Sequence, residues 1–423
     1  MFSLTKKLIS EGTSNVFNLG SFIFGISGMI ICLVVIIAPY KILEVMPLGY
    51  VKLFGFNLEK NGALGILLVS GVVVAAITQP LAGLISDRTK VKIGKRLPFI
   101  LIGGFGTALT IITIYYAKDF ISLLFCWMII QFFANLGEGP ANALLKDHVS
   151  EEEFGSASGK FNSLRVVGSV ATLIIVLQIM NIYDQTGNRA WFLAGLLFLS
   201  WLIIITTTWS YYALRYPRIS NSKDDSIDKK SKNRLGNLIL VLITFSFTLL
   251  AFTSLQSYAV FLLQDILNLE NPAPMLTGVI IVLGLSIGLS MFPAGKLSDK
   301  YNRKIIIIIG GIIGSVSCFL IIIFHSPLSV LILCSGIGIS VGSMFGTIWA
   351  LTNDVISKKN AGNQIGLLAL GFLFSGIGAR LAGILIDYLN NMRLNLGYFS
   401  LIAFAGICFI IAPLAASMIK NEE

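Results

Sequence analysis

The sequence is short of charge. Lys, Arg, Asp and Glu make up 12% of its 423 residues, where a soluble domain carries roughly a quarter. With 55% apolar residues, there is too little polar surface to face water, so most of the chain must face lipid. Histidine and cysteine are scarce as well. The two histidines, His148 and His325, stand far apart near the ends of apolar segments. The five cysteines (Cys32, Cys126, Cys318, Cys334 and Cys408) are scattered inside apolar runs. Their spacing fits neither a disulfide framework nor a zinc site, and they read as small core residues. Also missing are a nucleophile–base constellation and a nucleotide loop. Gly103-Gly104-Phe105-Gly106 and Gly310-Gly311 lie within apolar runs, so they are packing features rather than phosphate cradles. No catalysis, metal or cofactor is therefore expected. A net charge of +10 would point to nucleic acid in a soluble protein. In a lipid-facing chain it reads as basic loops, so no nucleic-acid partner is expected. The polar start with Lys6 and Lys7 runs into an apolar stretch long enough to span, which argues against a cleavable signal peptide.

What is present is hydrocarbon-length helix. A span needs ~20 apolar residues, and twelve stretches qualify: about 17–39, 61–86, 97–117, 120–145, 156–181 and 190–214, then 236–264, 274–298, 304–324, 327–353, 362–389 and 395–418. The alternating short strands of a membrane barrel are absent. Glycine, 41 residues in all, is frequent inside the spans, where small residues let helices approach. Assigning alternate loops to opposite sides gives 23 Lys/Arg to one side and six to the other, Lys41, Lys52, Lys60, Lys118, Arg189 and Arg393. Only Arg165 and Arg380 fall within spans. Basic loops stay on the cytoplasmic side, so both termini and the long polar stretch 215–235 are expected there, with the chain a multi-pass protein of the cell membrane.

That stretch, rich in Lys, Asp and Ser, reads as a linker. It divides the chain into an N-terminal half 1–214 and a C-terminal half 236–423, each of six spans. Two repeats support the division. Gly83-x-x-Ser86-Asp87-Arg88 recurs as Gly295-x-x-Ser298-Asp299-Lys300, and Ala143-x-x-x-Asp147-x-x-Ser150 recurs as Ala350-x-x-x-Asp354-x-x-Ser357. The fold class is thus an all-α integral membrane protein of twelve transmembrane helices, in two six-helix halves with pseudo-two-fold symmetry. Such parallel repeats underlie carriers in which one half rocks against the other.

At these residues the chain resembles the major facilitator superfamily. The longer spacing of the first loop, five residues between Arg88 and Gly94-Lys95-Arg96 and then Pro98-Phe99, is similar to the glycoside– and sucrose–cation symporter branch. So is Gly139-Pro140-Ala141-x-Ala143-Leu144-Leu145-x-Asp147. The resemblance implies a secondary transporter moving a small solute by alternating access, with sugar or glycoside import coupled to protons as the leading reading. An exporter or uniporter of amphipathic solutes, or a non-transporting sensor on the same fold, stays open. The expected partners are the solute, protons and the lipid bilayer, and the expected state is a monomer. The branch's coupling aspartate has no match here, since Gln131 stands in its place; nor has span 2 an acid before Asp87, which argues against sodium coupling.

Two groups of residues carry the functional reading. In the charged loops, Gly83, Asp87, Arg88, Lys95 and Arg96 with Gly295, Asp299, Lys300 and Arg303 form a candidate conformational latch, Asp87 pairing with Arg88, Lys95 or Arg96. The alternative is that the cations only orient the chain. In span 4, Gln131, Asn135, Glu138 and Asn142 recur at intervals of four, three and four, so they share one helical face. A polar stripe in hydrocarbon is costly unless it faces a cavity or finds partners. Glu138 and Arg165 are the proton-coupling candidates; a static ion pair is the competing reading. Asn18, Asn162, Gln256, Tyr258, Ser343, Thr347 and Trp349 complete the cavity candidates, since the resemblance puts spans 1, 4, 7 and 10 around the pathway. Small hydroxyl residues also serve helix packing, so each has a blander role available. Arg380 can bind an anion or pair with Asp387 two turns on.

Overall fold

The computed structural model describes residues 16–53, 55–91, 93–149, 154–214, 234–355 and 361–419. Among the described residues, twelve helices are long and apolar enough to cross a membrane. In chain order they are α1 (Val16–Val45), α2 (Lys60–Arg88), α3 (Leu97–Tyr116), α4 (Phe120–His148), α5 (Phe154–Thr186) and α6 (Arg189–Leu214), followed by α7 (Arg234–Ser257), α8 (Ala273–Lys300), α9 (Arg303–Ile323), α10 (Pro327–Val355), α11 (Ala361–Met392) and α12 (Leu396–Ser417). The expected all-α membrane class holds. Large apolar side chains such as Trp201, Leu289 and Ile312 are exposed on the helices, as a lipid solvent requires.

Three local features depart from the sequence reading. First, α1 does not stop at residue 39. Pro39 cannot donate to the carbonyl four residues back, and the wide π turn Leu33–Ile37 sits where that bond is missing. The helix then continues to Val45. Lys41, assigned above to a loop, is consequently fully buried and pairs with Glu44 at 3.2 Å. Second, a small antiparallel hairpin, β1 (Val51–Leu53) and β2 (Phe56–Leu58), joins α1 to α2 in the register Val51 to Leu58. Gly55 in its turn has φ 86°, a conformation glycine adopts without penalty. Third, α7 breaks at Tyr258 and resumes as Ala259–Ile266, where one continuous span was expected.

Packing divides the described chain into two compact units, residues of 1–37 and 70–223 in one, residues of 38–69 and 224–423 in the other. Segment 38–69, which precedes the linker, thus packs with the second unit. The linker 215–235 lies outside the residues whose side chains are described.

In the first unit, α1 lies against α5 and α6, and α3 against α4 and α6. Close approach explains the small residues at these crossings. A Cβ at Gly168 would lie 2.3 Å from the Phe24 carbonyl oxygen, and one at Gly103 would lie 2.5 Å from the Gly137 nitrogen. Without a hydrophobic force between helices in lipid, such backbone contact supplies the association. In the second unit, α8 lies against α10, α9 against α10 and α12, and α7 against α11 and α12.

Candidate solute and coupling site

The polar stripe of α4 is connected, and three of its four residues are buried, Asn142 being exposed. Gln131, Asn135 and Glu138 are 7%, 2% and 7% exposed, so each needs a partner. Asn135 donates through Nδ2 to the Gln131 carbonyl at 2.6 Å and to its Oε1 at 3.1 Å. Arg165 on α5 donates from Nη1 to Glu138 Oε1 at 2.8 Å and from Nη2 to Asn142 Oδ1 at 2.8 Å. Glu138 and Arg165 are therefore in direct contact, and the expected face of α4 is one network.

Gln79 on α2 completes it. Its Nε2 donates to Asn135 Oδ1 at 2.7 Å and to Glu138 Oε2 at 3.3 Å. The reach depends on Gly139, where a Cβ would meet the Gln79 carbonyl at 2.8 Å. The sequence reading missed Gln79. Its signal was available, since an amide beside Pro80 in an otherwise apolar span is as costly as those on α4.

The charged loop of the first unit closes around Arg96, which is 7% exposed. Its Nη2 meets Asp87 Oδ1 at 2.5 Å, its Nε meets Asp147 Oδ2 at 2.9 Å, and its Nη1 donates to Ser86 Oγ at 2.5 Å. Lys95 adds contacts to Asp147 at 3.1 Å and to Asp87 at 3.9 Å. Asp87 thus pairs with Lys95 and Arg96, whereas exposed Arg88 forms no ion pair among the described residues. Asp147, noted above only as a repeat marker, is a full member of the cluster. Its half-burial would raise its carboxyl pKa, but hydrogen bonds and charge from Arg96 and Lys95 outweigh that and hold it below the usual range. Gly83 contributes its carbonyl, which accepts from Arg96 at 3.3 Å.

In the second unit the described contacts of the repeat copy involve its cations and its backbone. Lys304 donates to the Ile419 carbonyl, and Lys300 lies 5.8 Å from the Tyr301 ring. Gly295 accepts from Ser298 through its carbonyl at 2.7 Å, and Arg303 opens α9. The side chains of Asp299 and Trp349 lie outside the described residues.

The remaining candidates are not all drawn into one place. Asn18 accepts from the Trp209 indole at 3.1 Å, which ties α1 to α6 rather than to the α4 network. Asn162 is exposed and makes no hydrogen bond among the described residues. Ser343 donates to the Ser340 carbonyl at 3.0 Å and lies against α9, where a Cβ at Gly310 would be 2.7 Å from its hydroxyl. That is a packing role. Thr347 is fully buried and its hydroxyl has no partner among the described residues. Tyr258 is fully buried at the α7 break, and its hydroxyl donates to the Arg380 carbonyl. Gln256, two residues earlier, is half-buried.

The pairing considered above between Arg380 and Asp387 does not form. Asp387 instead caps the start of α2, accepting from the Gly62 nitrogen at 2.5 Å, the Asn61 nitrogen at 3.3 Å and Asn61 Nδ2 at 2.8 Å. A carboxylate there satisfies free helix N–H groups and complements the dipole. Beside it Lys60 meets Asp265 at 2.6 Å, and Tyr398 donates to Asp265 at 2.7 Å.

Comparisons with known proteins agree on the general kind. A sequence model of the Major Facilitator Superfamily matches residues 17–377. The chain is 22% identical over 370 residues to YagG of Escherichia coli (strain K12), named provisionally as a glycoside/cation symporter, with 81% of this chain and 77% of that one covered. It is 24% identical over 332 residues to an uncharacterized MFS-type transporter of Methanocaldococcus jannaschii, covering 75% and 77%. Among solved structures, a bacterial homolog of the human lysosomal transporter Spinster, in an inward-facing and occupied conformation, superposes with a TM-score of 0.72 at 13% identity, over 95% of this chain and 96% of that one.

Proposed function

The chain belongs to the Major Facilitator Superfamily, and on that premise we propose that it takes up a sugar or glycoside together with a proton by alternating access. The observation that carries this reading is the network of buried Gln131, Asn135 and Glu138 with half-buried Gln79 and Arg165 and exposed Asn142. Amide groups that both donate and accept suit a polyhydroxylated solute. A carboxylate inside the same network supplies a proton acceptor at membrane depth. The name of the Escherichia coli relative supports the sugar assignment, and the spacing of the first charged loop points the same way.

In this reading Glu138 carries the proton. While ionised it is neutralised by Arg165 at 2.8 Å and held by Gln79. Protonation cancels the attraction, leaving Arg165 with Asn142 alone and freeing Gln79 and Asn135 to exchange partners with solute hydroxyls. The ion cluster around Arg96 sits at the basic ends of α2 and α4, on the side assigned to the cytoplasm, and serves as the latch between states.

The test is Glu138→Gln in proteoliposomes. Uptake driven by a pH gradient is expected to fall to background, while exchange of labelled for unlabelled solute continues, because exchange needs no net proton movement. Gradient-driven uptake at the wild-type rate would refute proton coupling at Glu138, and leave the pair with Arg165 as a static one.

A further inference from the structure

Within the second unit a furrow of about 490 Å³ runs between α8 and α9, with α10 as its floor. Both helices are clamped on α10 and scarcely touch each other. Glycine sets both clamps. A Cβ at Gly342 would lie 2.5 Å from the Ile287 carbonyl oxygen, and one at Gly310 would lie 2.7 Å from the Ser343 hydroxyl. The space left over is lined by Leu289, Pro293 and Leu297 on α8, Ile306 and Ile309 on α9 and Ile339 on α10. Of the serines at its border, Ser290 and Ser343 donate to the Ile287 and Ser340 carbonyls of their own helices, at 3.2 and 3.0 Å. The walls are therefore largely hydrocarbon, which suits an apolar chain and penalises a sugar.

The furrow has the dimensions of one lipid leaflet. From Ser286 to Leu297 it follows α8 for about 16 Å, against ~15 Å for half of the hydrocarbon core. Spread over that length, about 490 Å³ makes a channel narrower than the ~10 Å of a helix, so it takes an extended chain. It occupies the half of α8 that ends at Lys300 and the half of α9 that begins at Arg303, the end that loop charge assigns to the cytoplasm. That end is basic. Lys296 and Lys300 lie three and seven residues beyond Pro293, so they continue the same face of α8, and Arg303 stands one turn before Ile306 on α9. Lys296 and Lys300 are exposed and form no ion pair among the described residues. Lys304 is turned to the Ile419 carbonyl, and Asp299 is the one acid of residues 295–304.

We propose that this furrow is a binding site for an anionic phospholipid of the cytoplasmic leaflet, one acyl chain lying between α8 and α9 and the phosphate held by Lys296, Lys300 and Arg303. Basic pockets between membrane helices on the cytoplasmic side are where acidic headgroups bind. The furrow and the cations are each necessary: without the furrow the cations attract any acidic surface, and without the cations the furrow accepts any lipid. The site is independent of the solute, since all of its residues belong to α8, α9 and α10.

The experiment uses the full-length protein, purified in detergent and stripped of lipid. The probes are phosphatidylglycerol, phosphatidylcholine with the same acyl chains, and inorganic phosphate. Thermal stabilisation across a titration and lipid retention in native mass spectrometry are read for each. A basic side chain at an acidic lipid headgroup contributes roughly a factor of five in affinity. The wild type is therefore expected to respond to phosphatidylglycerol at concentrations at least about 25-fold below phosphatidylcholine. The double variant Lys296→Gln/Lys300→Gln should lose most of that preference and keep its response to phosphatidylcholine. Leu289→Trp, at an exposed position on the wall, should weaken the response to both lipids by narrowing the furrow. Lys90→Gln/Lys160→Gln removes the same charge from exposed positions elsewhere and should keep the preference. Equal response to the two lipids, or equal stabilisation by inorganic phosphate, would overturn the proposal. So would an unchanged response in Leu289→Trp, or loss of the preference in Lys90→Gln/Lys160→Gln, which would make it a property of the whole basic face.

Discussion

Arg96 holds three partners at once, and its loss can be worked through. Replacing it by Ala removes the contact to Asp147 at 2.9 Å, that to Asp87 at 2.5 Å and the bond to Ser86 at 2.5 Å. Asp87 is 54% exposed, so that contact contributes under ~1 kcal/mol. The Asp147 pair is better shielded and, as a charge-assisted bond, contributes about 1.5–3 kcal/mol, but Lys95 at 3.1 Å retains part of it. The Ser86 bond adds about 1 kcal/mol. The expected net loss is about 2–3 kcal/mol, a fall in melting temperature of roughly 5 °C or more for a unit of this size. The pH dependence carries a definite sign. Asp147 has its folded pKa held below the usual value by Arg96 and Lys95, so its contribution is present above the unfolded pKa of about 3.9 and is lost as pH falls through the folded value. The gap between wild type and Arg96→Ala should therefore stay constant from about pH 5 to pH 8 and narrow below about pH 4. Thermal unfolding of purified protein in detergent at a series of pH values measures it. Arg96→Lys should recover only part of the loss, because an ammonium cannot reproduce the planar fork. A melting temperature unchanged in Arg96→Ala, or full recovery with Lys, would refute the reasoning.

Other consequences are equally direct. Gly103→Val and Gly168→Val put side-chain atoms into backbone 2.5 and 2.3 Å away and should leave little monodisperse protein on size-exclusion chromatography; Gly83→Ala, with nothing within 4 Å of the added Cβ, should elute as wild type. Asp387→Ala removes the cap of α2 and should lower stability by about 1–2 kcal/mol, read as a drop in melting temperature, whereas Asp387→Asn keeps an acceptor oxygen and should lose less.

Much of this protein was open to reading before any coordinates. Lipid admits few solutions for a backbone, so hydrophobic length alone determined twelve helices and the all-α class. Helical periodicity is equally local. It set Gln131, Asn135, Glu138 and Asn142 on one face of α4, and the same argument brought Arg165 into range of Glu138. What the chain could not declare is which face meets which neighbour. Gln79 and Asp147 joined their clusters only through helix contacts made across 59 and 51 residues of chain. Ser343 turned towards Gly310 and became packing. The decisive case is Arg380. Sequence placed Asp387 two turns away as its natural partner, yet tertiary packing gave that carboxylate to Asn61 and Gly62, 326 and 325 residues distant. Periodicity along a helix is set by backbone geometry common to all sequences. The pairing of buried charges is settled by whichever partner the packed helices bring within reach.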